Sequence, residues 1–335
     1  MMRARPAAAV RASLERVISR PGVPLQVRAH VRRTHGALEA EHLQVHCDAG
    51  LQGWMPLSIM KAHQQPGKLP TVIFLHATGA SKEMMRERMG RAASLGFLAA
   101  AIDCRYHGER ALRGATSPYE GYQEALGRAW RGSGEHPFLL DNLWDLRVLV
   151  DYLAGRPDVD AARIGCTGVS LGGMHTWLLA ALEPRIACVA PLIGVQSFGW
   201  AVQHDAFHAR VGSIPAVFAA AAVDLGLSSV TAEVVRAVWD KLLPGLLTEY
   251  DSLWSLPAIA PRPLLVGNGA LDPRCPIAGL EAPLAAAREA YAACGGPEHL
   301  QVLLAEGVGH AVSPEMEAAV EAFFCKWLLG TNEAA

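Results

Sequence analysis

Long apolar runs are absent from these 335 residues: no stretch reaches the roughly 18 uninterrupted apolar positions that a membrane-spanning helix needs. The start of the chain also lacks the apolar centre of a secretory signal. No membrane span is therefore expected, and the sequence reads as a soluble, intracellular protein, most simply a cytoplasmic one. Cysteine is scarce and without pattern. The seven cysteines form no CxxC pair, and their odd number and wide spacing argue against a disulfide framework and a cysteine-rich zinc site. They read instead as small buried hydrophobes in a reducing compartment. A surplus of charge is missing too. The net charge of −2 gives no basic surface for a nucleic-acid partner, and no repeat of fixed period appears.

What is present suits a sizeable globular domain. Hydrophobic residues make up 51% and charged residues 19% of the chain, and the length fits one α/β domain carrying an insertion. The one charge asymmetry lies at the start, where Arg3, Arg5, Arg11, Arg16, Arg20, Arg28, Arg32 and Arg33 face Glu15 alone. Such a segment reads as an organelle transit sequence or as a solvated amphipathic helix that packs Val10, Leu14 and Val17 on the domain. Residues 1–37 are accordingly expected to form an Arg-rich extension or helix, and residues 38–330 the domain itself.

Short apolar runs bounded by Gly, Pro or Asp alternate with segments of helical period, the pattern of βαβ units and a mostly parallel sheet with helices on both faces. Strands are expected at 71–76, 97–104, 163–169, 187–195, 263–269 and 301–306, preceded by an antiparallel pair within 38–62. Helices are expected near 82–95, 141–155, 171–183, 281–293 and 314–329. Two connections are too long for a simple crossover. Residues 105–140 form one. The other, 196–262, has helical character and is read as a lid, or as material thickening one edge of the domain.

The stretch "RIGCTGVSLGG" is an apolar run that breaks at Ser170, with Gly168 two residues before it and Gly172 two after. A sharp turn from strand into helix strains the turning residue, and glycines on either side let strand and helix approach closely. That geometry exposes Ser170 and sets the Leu171 N–H at a helix N-terminus, where a developing oxyanion is favoured. A serine hydroxyl is a weak nucleophile, so a base and a group to orient it are required. Asp272 in "ALDPRCP" and His310 in "GVGHAVSP" each follow an expected strand, in the chain order Ser, Asp, His. The loop after "TVIFLH" is expected to add a second oxyanion donor from Thr78, or from Ala77. Asp103 also ends a strand but precedes Ser170, so Asp103 and Arg105 are read as rim scaffolding.

With these residues placed, the chain from about 40 to 330 resembles an α/β-hydrolase of the branch related to dienelactone hydrolases and acetyl xylan esterases. The likeness is nearest to plant and algal α/β-hydrolase proteins of that branch. It is carried by "LHATGASKE", "DCRYHGER", "GVSLGGMH", "APRPLLVGNGALDPRCP" and "GVGHAVSPEM". The resemblance maps Ser170, Asp272 and His310 onto a catalytic triad and Ala77 and Thr78 onto the first oxyanion element. Dienelactone hydrolases have cysteine where this chain has Ser170, and many relatives have His-Gly where it has His76-Ala77.

The expected function is hydrolysis of a small-molecule carboxylic ester or thioester through an acyl-enzyme, with neither metal nor organic cofactor. A serine peptidase for short peptides, or a non-catalytic ligand-binding protein on a hydrolase fold, are the alternatives. Trp200 and His204, in the second long connection, are candidate substrate contacts, with His208 and Trp239 as further pocket walls.

Overall fold

Aliphatic and β-branched runs ending at turn formers become strands, and in the computed structural model, which describes residues 5–331, they join in one sheet. The strands are β1 (Val27–His35), β2 (Leu38–His46), β3 (Trp54–Ala62), β4 (Leu69–Leu75), β5 (Leu98–Ile102), β6 (Val159–Val169), β7 (Ile186–Leu192), β8 (Leu264–Gly269) and β9 (Leu300–Ala305). They lie in the order β1-β2-β3-β5-β4-β6-β7-β8-β9. The first three join the sheet by antiparallel pairing, and every pair from β5 through β9 is parallel. The parallel strands are buried on both faces, so β4, apart from Thr71, and β5 are apolar without alternation and fully buried.

The helices are α1 (Ala7–Ile18), α2 (Arg86–Ser94), α3 (Pro118–Trp130), α4 (Leu140–Ala154), α5 (Leu171–Leu182), α6 (Phe198–Gln203), α7 (His208–Val211), α8 (Pro215–Asp224), α9 (Ala232–Leu242), α10 (Ser252–Ser255), α11 (Ile277–Ala293) and α12 (Pro314–Phe324). They divide into two layers. On one face Leu14 of α1, Leu146 of α4, Trp177 of α5 and Leu284 of α11 share a core with the sheet. On the other, Met89 of α2 and Phe323 of α12 pack against Val72, Phe74 and Ala99. The Ser117 hydroxyl accepts from Glu120 N–H at the start of α3, and the Ser313 hydroxyl accepts from Met316 N–H at the start of α12. Among the described residues no helix is long and apolar enough to cross a membrane.

The eight expected strands form, and the sheet has one more. Residues 27–35 of the Arg-rich start pair with β2 as the edge strand β1, so the sheet begins ahead of residue 38. The preceding α1 buries Val10, Leu14 and Ile18, while Val17 packs at the margin of the same core; Arg3 lies outside the described residues. Residues 105–140 hold α3, and residues 196–262 hold α6 to α10, whose Phe218 and Trp239 are buried.

Candidate active site

Strand β6 passes into α5 through a single residue, Ser170, held at φ +55° and ψ −106°. A side chain is rarely tolerated there, and the surroundings impose it. A Cβ on Gly168 would lie 2.5 Å from the Gly172 carbonyl, and one on Gly172 would lie 2.2 Å from the Leu75 carbonyl oxygen of β4. Backbone cannot yield as a flexible side chain can. Gly172→Ala is therefore expected to lower stability by about 1–3 kcal/mol or more and to displace the serine. A thermal melt and an ester assay check it; a variant with unchanged Tm and turnover would show that the elbow has slack.

The serine meets its two partners at one rim of the sheet, because parallel strands end on the same side. Ser170 Oγ–H donates to His310 Nε2 at 2.8 Å, and His310 Nδ1–H donates to Asp272 Oδ2 at 2.7 Å. The other Asp272 oxygen accepts from the N–H groups of Arg274 at 2.8 Å and Cys275 at 3.2 Å. An ionised carboxylate only accepts, so this arrangement puts the imidazole proton on Nδ1 and leaves Nε2 free to take one. Burial pushes the Asp272 carboxyl up, but the hydrogen bond and charge of His310 and the two backbone donors outweigh it and hold the group below its ordinary range. The loops carrying Asp272 and His310 are also joined directly, with Ala270 N–H donating to Ala305 O and Leu271 N–H to Val308 O. The Asn268 amide donates to the Cys275 carbonyl at 2.9 Å and braces the acid turn from within.

Leu171 opens α5, where its N–H has no partner within the helix. Across the pocket, the loop after β4 is fixed by His76. This buried ring donates from Nδ1 to Ala77 O at 2.8 Å and accepts the Cys104 N–H on Nε2 at 3.0 Å. Burial pulls its pKa down, which keeps the ring neutral as both contacts require. The same loop is tied to the rim by Lys82, whose N–H and Nζ reach the two oxygens of Asp103 at 2.8 and 3.0 Å. Asp103 is thus engaged by a lysine rather than by a histidine. Arg105 is held by Asp145 and Asp48.

A pocket of about 370 Å³ opens over the serine, walled by Ala77, Thr78, Ser170, Ile193, Arg274 and His310 among others. Trp200 and His204 are not among its walls. Their rings stack on each other at 4.4 Å, with Trp200 seated against Gly279 of α11. Trp239 packs on Phe138 of the first long connection and on Phe198 and Phe218 of its own, and His208 is exposed. Aromatic spacing in that connection therefore marks packing. The pocket walls missed in the sequence are Arg88, Val169, Ile193, Arg274, Ala311 and Val312; Arg274 sits two residues past Asp272, where proximity alone could have singled it out. Asp272, Cys275 and His310 each bring a potential metal-ligand atom within 4.8 Å of the others. Two of them are spent on each other, and burial pushes the Cys275 thiol up to about 12, so it keeps its proton and donates to Ile193 O.

A sequence model of the family described as "Dienelactone hydrolase family" matches residues 58–239, more than half of the chain. The chain belongs to the dienelactone hydrolase family. The matched stretch contains the serine elbow, while Asp272 and His310 come from beyond it. Among curated proteins, this family member is 30% identical to "Putative hydrolase YtaP" of Bacillus subtilis (strain 168) over 150 residues, 40% of this chain and 46% of that protein. It thus spans about half the length of the curated relatives it matches. Among solved structures it is similar to acetyl xylan esterase 1 from Thermoanaerobacterium sp. JW/SL YS485, with a TM-score of 0.69 at 16% identity over 97% of this chain and 95% of that one. It is also similar to methylesterase BT1017, with a TM-score of 0.68 at 19% identity over 96% of this chain and 63% of that one. These likenesses establish the α/β-hydrolase fold.

Proposed function

We propose that this protein is a serine hydrolase of carboxylic esters or thioesters that works through an acyl-enzyme. The observation that carries the reading is the unbroken relay from Ser170 through His310 to Asp272, with links of 2.8 and 2.7 Å, at a strained strand-to-helix turn. As Ser170 Oγ attacks the acyl carbon, His310 Nε2 takes its proton, and the imidazolium is stabilised by the carboxylate that already holds Nδ1–H. The carbonyl electrons collect on an oxygen held by the N–H groups of Leu171 and Thr78, or Ala77, each worth about 3 kcal/mol of barrier. His310 then gives the proton to the departing alkoxide or thiolate. Water repeats the sequence on the acyl-serine, returning Ser170 and releasing the carboxylic acid. The pocket wall beside the serine comes from the loops after β4, β7, β8 and β9, with Ile193 and Arg274 next to the triad, and these are the sources of selectivity.

The first test is a fluorophosphonate probe read by intact mass. One adduct is expected on the wild type and none on Ser170→Ala, followed by turnover of short acyl esters. A folded wild type that takes no adduct would overturn the reading.

A further inference from the structure

One charge near the relay has no role in the mechanism above. Arg210 belongs to α7 in the lid, yet its side chain is buried, with 3% of the residue exposed. Among the described residues, its guanidinium has no carboxylate within ion-pair distance. Its Nε–H donates to Gln196 Oε1 at 3.2 Å, and an Nη2 hydrogen is directed at Cys275 Sγ at 3.9 Å. Gln196 in turn donates to Met174 Sδ on α5, one turn beyond Ser170. Cys275 closes the acid turn: its N–H is one of the donors to Asp272, and its sulfur lies within 4.8 Å of both the Asp272 carboxylate and the His310 ring. The lid thus sends a buried cation to the triad across a single thiol.

Arginine is rarely buried unless it is paired, because the desolvation cost is large. Burial pulls the Arg210 guanidinium below its ordinary range, the neighbouring Arg274 adds to that, and the field of Asp272 opposes it. From α3, the buried hydroxyl of Tyr122 also lies in range of Arg210 and is neutral, since burial pushes it well up. Around His310 the charged groups are Asp272, Arg274 and Arg88, and Arg88 is already paired with Glu317 of α12. A cation held across Cys275 from the Asp272 carboxylate offsets part of that carboxylate's charge toward His310.

We propose that Arg210 is a positioning residue that fastens the 196–262 connection to the Asp272 turn through Cys275 and offsets part of the Asp272 charge at the triad. This inference rests on the triad reading. The sign follows from charge alone: a neighbouring cation disfavours the imidazolium, so its removal makes His310 easier to protonate. In Arg210→Met and Arg210→Gln the acid limb of the kcat/KM profile is expected to move to higher pH by about half a unit to one unit. Arg210→Lys, which retains the charge without the fork, should leave that limb in place while lowering the plateau. An arginine that only packs the lid would change Tm or the plateau and leave the limb unmoved. A folded neutral variant with the wild-type limb overturns the proposal, and so does failure of both neutral variants to fold, which would make Arg210 purely structural. If instead the wild type hydrolyses no ester and takes no fluorophosphonate, the triad reading itself has failed.

Discussion

Replacing Ser170 with alanine should lower ester turnover by about 10⁴–10⁶-fold and leave the fold intact. The size of the loss follows from the cooperative use of the relay. Without Oγ there is no bond for the acyl group to form, and His310 and Asp272 are left polarising nothing. The remaining rate comes from water attacking an ester held in the oxyanion site. Stability should barely change, for three reasons on the structure. Serine and alanine carry the same Cβ, so the backbone strain at φ +55° is the same in both. The only side-chain partner lost is His310 Nε2. That nitrogen lies on the wall of an open pocket, where water can satisfy it. Initial rates on acetyl and longer acyl esters, with thermal melts of both proteins, decide the matter. More than a few per cent of residual activity would assign the chemistry to another residue.

The parts of this site that were legible in the sequence are those set by local chemistry. Gly168 and Gly172 are readable as a fence around Ser170 because the steric need is short-ranged, and the structure places the Leu75 backbone where a Cβ would go. Asp272 and His310 were readable because parallel strands deliver their C-terminal ends to one rim. The strand β1 was not. Its run "VRAHVRRTH" lies at the sheet edge with most of its side chains exposed, so it has no buried face to impose alternation, and its arginines suit an edge that must not pair further. The substrate contacts were illegible for another reason. Trp200 and His204 stand out by residue type, but whether a side chain in a long connection faces the pocket is decided by how α6 to α10 pack. That packing turns the two rings onto each other, while Ile193 and Arg274 reach the pocket from the loops after β7 and β8. Arg210 is the extreme case, since only the folding of the 196–262 connection carries it to the turn that holds Asp272.

The second large effect is expected from Asp272→Asn, with kcat reduced by about 10³–10⁴-fold and little change in structure. The amide is the same size as the carboxylate, and its oxygen can keep the N–H groups of Arg274 and Cys275, which would otherwise lose their acceptor. Its nitrogen then faces His310 Nδ1, and two donors cannot share one hydrogen bond. The imidazole relieves the conflict by moving its proton to Nε2, after which it points an N–H at Ser170 and cannot take the serine's proton. Activity fails through the tautomer while the geometry survives. Asp103→Asn provides the contrast, because Asp103 also ends a strand at this rim. Its carboxylate and that of Glu109 both answer the buried ammonium of Lys82, and removing the buried one of the two costs up to about 3–5 kcal/mol of stability. The two variants should therefore separate. Asp272→Asn keeps its Tm and loses kcat, whereas Asp103→Asn loses Tm and retains turnover per folded molecule at temperatures below its melt. Near wild-type kcat in Asp272→Asn would remove Asp272 from the relay, and an unaltered melt in Asp103→Asn would deny the rim its buried ion pair.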